Sequence, residues 1–386
     1  MSEEPGAGRG ADAGRAGPGS PEVRSGAPGA DPGAPQAGSR ALDADLIVVG
    51  GGPVGLAAAI EARAAGLDVL VVEQRGGPID KACGEGLMPG ALAALHRLGV
   101  DPAGCDFHGI AYVSATQRVE HRFDGETGRG VRRTVLHAAM AGRVAELGIP
   151  VVRGRVTAVT QGERRVRVGW DGGGASASWV IAADGLHSTV RRLVGCERPP
   201  VAAAKRRFGI RRHFEVAPWS DLVEVHWTPD IEAYVTPVDA GTVGVALLGP
   251  PHVDFDDALA RIPELAGHLD GAAALSSTRG AGPMRQRTTR RVAGRVLLAG
   301  DASGYVDALT GEGLRVGFAQ ARSAVRSIAD GDPTRYERAW SRDTRDFRIL
   351  TSALVAAARS PLRARIVPAA AASPALFGRI VDRLAR

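Results

Sequence analysis

A glycine-rich hexapeptide, GGGPVG, begins at Gly50 and is the first stretch whose residue types could bind a ligand. Gly50, Gly52 and Gly55 match a GxGxxG pattern, which allows a tight turn and a close approach of the backbone to a pyrophosphate. A β-branched run at 45–49 precedes the motif, and a helix-forming run at 55–66 follows it. The motif would therefore open a helix whose N-terminus attracts phosphate.

A carboxylate lies at the expected distance after this motif. The apolar run 68–73 predicts a second buried strand, and it ends on Glu73, eighteen residues beyond Gly55. Glu73 could accept hydrogen bonds from the ribose of an adenosine. Together the segments predict a compact βαβ unit that binds a dinucleotide. A further strand is predicted over 150–159.

Two more candidate site residues follow apolar strands later in the chain. Asp184 stands in VIAADGLHSTVRR, and Asp301 stands in RVLLAGDASGYVDALTGEGL, whose TGEG stretch contains Gly311 and Gly313. Either aspartate could simply cap the helix that follows it, because Asp is a preferred N-cap residue. Capping is compatible with a second role in holding a cofactor.

The three motifs, in this order, resemble those of the flavoprotein monooxygenase superfamily with the para-hydroxybenzoate hydroxylase fold. The resemblance covers about residues 45–330 and implies that the cofactor is FAD. It implies that the first glycines lie at the pyrophosphate, Glu73 at the ribose, Asp301 at the ribityl chain and the TGEG glycines at the flavin ring. It also implies that Asp184 braces the pyrophosphate region and that Arg133, or equally Arg132, contacts the phosphate side. The implied cofactor-binding residues are Gly50, Gly52, Pro53, Val54, Gly55, Glu73, Arg133, Asp184, Asp301, Gly311, Gly313 and Leu314.

The segment KACGEGLMPG, from Lys81 to Gly90, is similar to one in the geranylgeranyl-reductase branch of the superfamily. The resemblance implies that it borders the flavin ring and the substrate cavity. Its lone Cys83 is interpreted as a packing residue, because no second cysteine lies near it in sequence to resolve an oxidised thiol.

The chain departs from that branch at two places. The branch usually carries YxWxFP in its substrate sheet, where this chain has EAYVTP, with Glu232, Tyr234 and Thr236 at the aromatic positions. The branch also tends to have Asn-Pro before TGEG, where this chain has Asp307 and Ala308. Both departures weigh against an isoprenoid reductase without excluding it.

Composition excludes several classes of protein. Three scattered cysteines argue against a disulfide framework and a CxxC redox pair. The net charge is +6, but the arginines are dispersed and aromatic residues make up only 4%, so no nucleic-acid partner is predicted. No metal-ligand spacing occurs, no secretory signal is visible and no apolar run could span a membrane. A cytoplasmic protein is expected.

The predicted fold class is α/β: an FAD-binding Rossmann-like domain with an inserted antiparallel β-sheet substrate domain and C-terminal helices. Residues 1–43 are more than half Gly, Ala and Pro and are predicted to be a disordered tail. The remaining boundaries are FAD-binding segments 44–104, 126–197 and 293–330, substrate segments 105–125 and 198–292, and C-terminal helices 331–386.

The predicted function is an NAD(P)H-using, FAD-dependent monooxygenase of secondary metabolism that hydroxylates an aromatic or polyketide-like small molecule. His213, His226 and Tyr234 could polarise a phenol, but the sequence identifies no catalytic residue. One alternative is a flavin-dependent reductase of isoprenoid double bonds. A second is a non-enzymatic FAD-binding protein, with peripheral membrane contact through the weakly amphipathic SPALFGRIVDRLAR near the C-terminus.

Overall fold

The computed structural model describes residues 42–386. Most of the predicted tail, residues 1–41, lies outside the described residues. The strands are β1 (Leu42–Val49), β2 (Val69–Glu73), β3 (Gly86–Leu87), β4 (Cys105–Phe107), β5 (Gly109–Val113), β6 (Arg118–Arg122), β7 (Gly128–Gly130), β8 (Val151–Arg153), β9 (Val156–Gln161), β10 (Val166–Trp170), β11 (Gly173–Ala182), β12 (Phe208–Glu215), β13 (Val223–Trp227), β14 (Glu232–Asp239), β15 (Thr242–Gly249), β16 (Ala273–Ala274), β17 (Arg279–Ala281), β18 (Val292–Ala293) and β19 (Val296–Leu298). The α-helices are α1 (Pro53–Ala64), α2 (Pro89–Arg97), α3 (Arg133–Glu146), α4 (Thr189–Leu193), α5 (Phe255–Ala260), α6 (Pro263–His268), α7 (Gly313–Ala329), α8 (Arg335–Ala358), α9 (Ile366–Ala372) and α10 (Pro374–Ala385).

The first large sheet positions the predicted cofactor residues. Its strand order is β18-β19-β11-β1-β2-β8, and the pairs β19–β11, β11–β1, β1–β2 and β2–β8 are parallel. Strands β10 and β9 extend it by antiparallel pairing from β11. Because parallel strands end at the same edge, the loops after β1, β2, β11 and β19 meet there. This is the edge at which ligands bind in open α/β sheets.

Small residues bring helix and sheet close together at this edge. Pro53 occupies the first turn of α1, and a Cβ added at Gly55 would lie 1.8 Å from the carbonyl oxygen of Gly50. A Cβ added at Gly317, on α7, would lie 2.4 Å from Val54 Cγ2. Gly55 therefore lets α1 begin close to the glycine turn, and Gly317 lets α7 pack closely on α1, because neither position has a side chain.

The strand predicted over 150–159 is divided into β8 and β9. The break falls at Gly154, whose N–H donates to the carbonyl of Glu73 at 2.9 Å. A Cβ at Gly154 would lie 2.3 Å from Trp170 Cδ1, so the chain turns where a glycine admits the indole ring. Strand β8 then pairs in parallel with β2, and strand β9 pairs in antiparallel fashion with β10.

The second large sheet has the order β16-β12-β15-β14-β13-β5-β6, with β17 also paired to β12. It is antiparallel apart from the pair β5–β13, which is parallel. This single parallel pair departs from the predicted antiparallel sheet, because β5 arrives from the earlier part of the chain. A small sheet of β3, β7 and β4 lies between the two parts.

The α/β fold class with C-terminal helices is confirmed, whereas the domain boundaries given above remain a prediction. Helix α10 packs on β6, where His121 Nε2 lies 2.8 Å from Asp382 Oδ1. The ring of Phe377 lies 4.9 Å from that of Tyr112 on β5. Over residues 42–386, no helix combines the length and apolar character needed to cross a bilayer.

Candidate active site

A cavity of about 1160 Å³ opens at the carboxyl edge of the first sheet and continues between the second sheet and the C-terminal helices. Eleven of the twelve residues predicted to bind the cofactor line it. The exception is Gly55, whose role in the structure is the close packing described above. The eleven are Gly50, Gly52, Pro53, Val54, Glu73, Arg133, Asp184, Asp301, Gly311, Gly313 and Leu314.

The glycine turn after β1 presents bare backbone to the cavity. Gly50 has a φ of 104°, which a side chain would strain, and a Cβ there would meet the backbone of Ala183 at 2.5 Å. At Gly52, Gly84 and Gly311 a Cβ would meet nothing within 4 Å, so open space lies beside each of these residues. A ligand can therefore approach the main chain at three points around the cavity.

Glu73 is held by backbone donors at the end of β2. Its Oε2 accepts the N–H of Gly51 at 2.6 Å, and its Oε1 accepts the N–H of Arg75 at 2.9 Å. Each oxygen has a second acceptor site, so the carboxylate can also receive ribose hydroxyls. His137, which sequence reasoning missed, supports the same turn from α3, with Nε2 2.9 Å from the carbonyl oxygen of Gly51. Burial lowers the pKa of His137, which favours its neutral form.

Asp184 is used mainly to shape the loop before α4. Its carboxylate accepts from the Ser188 hydroxyl at 2.5 Å and from the Val190 N–H at 3.0 Å, while Ser188 Oγ caps the helix by accepting from the Arg191 N–H. Burial raises the pKa of Asp184, although these hydrogen bonds oppose the shift. The helix-capping interpretation is thus present in the structure, at a residue that also lines the cavity.

Asp301 and its surroundings form a braced loop after β19. Lys81 Nζ lies 3.0 Å from Asp301 Oδ2, which ties the KACGEG segment to this loop. The buried guanidinium of Arg191 donates to the carbonyl of Leu186 at 2.8 Å and to that of Ala302 at 3.3 Å. Arg191 therefore joins the two aspartate loops, a role that no local pattern predicted.

Arg133, rather than Arg132, lines the cavity. Its backbone N–H donates to Glu85 Oε1 at 2.8 Å, whereas its buried Nε has no hydrogen-bond partner in the described part of the chain. A buried donor without a partner is costly and is the kind of group that a phosphate oxygen satisfies. Bare glycine backbone, an anchored carboxylate and this unsatisfied donor together fit the adenosine and phosphates of FAD.

A buried cluster of charged side chains holds the KACGEG segment in place. Glu85 has a φ of 62°, unusual for a residue with a side chain, and its Oε2 lies 2.6 Å from His213 Nε2. Arg211 pairs with Asp80 and lies 3.0 Å from His213 Nδ1. Since φ strain of this kind persists only where surrounding contacts impose it, the cluster sets the path of the segment past the cavity.

Cys83 lies on the cavity wall in this segment. Its Sγ accepts the N–H of Glu85 at 3.4 Å, a contact that stabilises the turn. Thr236 Oγ1, on β14 of the second large sheet, donates to the carbonyl of Gly84 at 2.8 Å. This hydrogen bond attaches the KACGEG segment to that sheet. The packing interpretation of Cys83 remains a prediction.

The histidines considered as phenol-polarising groups do not line the cavity. His213 is bound to Glu85, and the buried His226 lies 3.2 Å from Glu224 Oε2. Tyr234 does line the cavity, but its hydroxyl donates to the carbonyl of Leu309 at 2.6 Å. Burial also raises the pKa of Tyr234 well above its usual value, so it remains a neutral phenol.

Along the second sheet and the C-terminal helices the walls of the cavity are mostly apolar. One wall comes from the second sheet and its neighbours, and the other from α8, α9 and α10. Leu376 and Ile380, on α10, line the cavity and are also 51% and 38% exposed, so they mark its mouth. Other large apolar side chains on the walls include Met88, Ile110, Val223, Val225, Leu248, Met284, Leu350, Leu354, Ile366, Phe377 and Leu384.

The family model described as FAD binding domain matches residues 43–330. The chain belongs to this family of FAD-binding flavoproteins. The resemblance noted from the motifs is therefore confirmed, FAD is the cofactor, and the protein is an oxidoreductase. The non-enzymatic alternative is wrong.

Curated relatives of this flavoprotein include reductases. The chain is 31% identical over 327 residues to a menaquinone reductase of Mycolicibacterium smegmatis, covering 77% of this chain and 79% of that protein. It is 26% identical to digeranylgeranylglycerophospholipid reductase 1 of Methanopyrus kandleri, covering 79% and 88%. Among solved structures, the p-nitrophenol 4-monooxygenase of Pseudomonas putida superposes with a TM-score of 0.69 at 20% identity, covering 88% of this chain and 94% of that one.

Proposed function

We propose that this flavoprotein uses reduced FAD to add hydrogen across a carbon–carbon double bond in the isoprenoid chain of a lipid-like substrate. The observation that carries the proposal is the apolar extension of the cavity, which runs from the KACGEG segment to a mouth at Leu376 and Ile380. A long, mostly aliphatic channel suits a flexible hydrocarbon chain, because such a chain needs burial and no fixed hydrogen bonds.

Similarity to reductases supports the same proposal. Two of the relatives named above are, by their names, reductases of a menaquinone and of a digeranylgeranyl lipid. Tyr234 lines the cavity at one of the departures from the branch's aromatic motif, so the wall keeps one aromatic ring there. Aromatic hydroxylation, the prediction made from the sequence, is the second candidate function, and neither candidate histidine lines the cavity to polarise a phenol.

The reduction needs a hydride and a proton. When bound and reduced, FAD supplies the hydride. The chain's own residues hold the cofactor at the sheet edge, align the substrate along α8–α10 and exclude water with the apolar walls. We propose a nicotinamide dinucleotide as the donor of electrons to the flavin, as is typical for the family.

The test is an anaerobic incubation of the FAD-loaded protein, reduced with dithionite, with a menaquinone or a digeranylgeranyl lipid. After the protein is removed and any quinol is reoxidised to the quinone in air, we expect mass spectrometry to show a product heavier by two hydrogens in its isoprenoid chain, formed without oxygen. Omitting the protein controls for direct reduction by dithionite. In deuterated water both added positions should carry deuterium, because dithionite supplies only electrons and both hydrogens then come from the solvent. A product that gains one oxygen atom, and only after air is admitted, would show that the protein is a hydroxylase.

A further inference from the structure

A second, smaller cavity of about 340 Å³ lies on the far side of the loop after β19. It shares Gly300, Asp301, Tyr305 and Gly313 with the large cavity, so the two adjoin. We define it as the arginine pocket by five lining residues: Arg198, Arg285, Arg287, Arg291 and Arg348. The proposed function assigns nothing to it.

The charges of the arginine pocket are largely uncompensated. Over residues 42–386, the guanidinium groups of Arg198, Arg285, Arg287 and Arg348 form no ion pair with a carboxylate. Only Arg291 has such a partner, Glu337, whose Oε1 lies 3.0 Å from its NH1.

The acidic residue of the pocket does not neutralise these arginines. Asp301 is already paired with Lys81 on the side of the large cavity. In addition, the buried Nε of Arg291 has no hydrogen-bond partner among the described residues. The pocket therefore keeps four exposed guanidinium groups without an ion pair to any described residue and one unsatisfied buried donor.

Like charges are held close together in this pocket. Partial burial, together with the charges of Arg291 and Arg285, lowers the pKa of the Arg348 guanidinium. The Trp340 ring lies under two of the guanidinium groups, 3.7 Å from Arg291 Cζ and 5.0 Å from Arg348 Cζ. These cation–π contacts orient the two side chains without neutralising them.

Arginines arranged in this way match the chemistry of a diphosphate. Guanidinium groups donate paired N–H groups to phosphate oxygens, and a concave cluster of one sign concentrates anions. A diphosphate would relieve the mutual repulsion of the arginines and satisfy the Nε of Arg291. We propose that the arginine pocket binds the diphosphate group of a ligand that also serves the large cavity.

Two ligands carry this group: the nicotinamide dinucleotide that reduces the flavin, or an isoprenoid substrate with a diphosphate head. Gly300, Asp301, Tyr305 and Gly313 line both cavities, so a ligand with its diphosphate in the arginine pocket would lie next to the large cavity. The dinucleotide alternative rests on the proposed use of a nicotinamide donor. The diphosphate proposal itself does not.

The first experiment is a calorimetric titration of the FAD-loaded protein with inorganic pyrophosphate. We expect binding to the native protein, and a loss of affinity of about tenfold or more for each substitution in the series R285Q, R287Q and the double variant. R345Q is the matched control, because Arg345 is exposed on α8 three residues before Arg348 and does not line the pocket. The absence of binding to the native protein, or an equal loss in R345Q, would overturn the proposal.

The second experiment distinguishes the two sources of the diphosphate. If the ligand is the dinucleotide, NADP⁺ displaces pyrophosphate from the native protein. The double variant then needs a higher NADPH concentration for half-maximal reduction of its flavin, whereas dithionite still reduces that flavin at the normal rate. If the ligand is the substrate, geranylgeranyl diphosphate displaces pyrophosphate and NADP⁺ does not. If NADPH cannot reduce the flavin of the native protein, the proposal of a nicotinamide donor is wrong. The pyrophosphate titration still tests separately whether the arginine pocket binds a diphosphate.

Discussion

At the scale of single residues, Glu73 combines a structural and a predicted binding role. Its two oxygens accept the N–H groups of Gly51 and Arg75, which fixes the glycine turn beside the carboxylate. The same carboxylate faces the cavity. A substitution there should affect cofactor affinity both through a lost contact and through a looser turn.

We expect Glu73→Ala to weaken FAD binding by about tenfold or more, because losing a charged hydrogen-bond acceptor costs about 1.5–3 kcal/mol. Fluorescence titration of the apoprotein with FAD measures the dissociation constant. Glu215→Ala is the control, because Glu215 is an exposed carboxylate at the end of β12, away from the cavity. Equal FAD affinity in the native protein and Glu73→Ala would refute this role.

Glu312, in the TGEG stretch, is a buried carboxyl at the start of α7. Burial raises its pKa to about 7 from a normal 4.5, although the Arg315 guanidinium opposes the shift. Between these two values the folded protein keeps the proton while the unfolded chain releases it. Stability from this group is therefore complete below about pH 4.5 and falls as the pH rises to about 7.

We expect Glu312→Gln to remove this pH dependence, because glutamine does not titrate. The native free energy of unfolding should fall by about 3 kcal/mol more than that of the variant between about pH 4.5 and pH 7. Chemical denaturation at several pH values measures the difference, with Glu264→Gln on the exposed face of α6 as the control. Parallel pH profiles for the native protein and Glu312→Gln would contradict the assignment.

At the scale of secondary-structure elements, α10 decides what can enter the cavity. Phe377 packs inward against Tyr112, while Leu376 and Ile380 stand at the mouth. Both side chains are exposed there and would contact an apolar ligand that enters the cavity. The helix is thus both a wall of the channel and its entrance.

We expect Ile380→Trp to narrow the mouth and to raise the KM for a long isoprenoid substrate several-fold. FAD content and the rate of flavin reduction by dithionite should stay the same, because the mouth is remote from the cofactor residues. Ile349→Trp is a matched control, since Ile349 is 58% exposed on α8 and does not line the cavity. Identical kinetics for the two variants would show that substrates enter elsewhere.

At the scale of the whole molecule, one buried network joins three distant parts. Glu232, at the start of β14, accepts from Arg207 NH2 and from Arg363 NH1, each at 2.5 Å. Arg207 Nε also lies 3.1 Å from Asp307 Oδ2, in the loop before α7. The two departures from the geranylgeranyl-reductase pattern are therefore parts of one network, which also holds the C-terminal segment through Arg363.

We expect Glu232→Gln to cost about 3–5 kcal/mol of stability, because it leaves the buried guanidinium of Arg363 without a charged partner and Arg207 with Asp307 alone. Glu120→Gln breaks an exposed pair with Arg118 and should cost less than about 1 kcal/mol. Chemical denaturation of both variants measures the contrast. A small loss in Glu232→Gln would mean that the arginines find other partners.

The sequence by itself determined the parts of the site whose residues are close along the chain. Gly50 and Glu73 belong to one βαβ unit, and the motifs at Asp184 and Asp301 each follow a buried strand. Parallel strands bring such ends to one edge, so local patterns sufficed to predict the fold class, and the family resemblance carried by the three motifs implied FAD. The resemblance to flavoprotein hydroxylases favoured hydroxylation, whereas local patterns could not predict which residues line the substrate part of the cavity.

Only the tertiary structure decided the rest of the site. Glu85 meets His213 across 128 residues of chain, and the arginine pocket joins positions as far apart as Arg198 and Arg348. The apolar channel likewise combines the second sheet with helices at the end of the chain. No period or spacing encodes such pairs, because the hydrophobic effect specifies which residues are buried and not which distant residues meet.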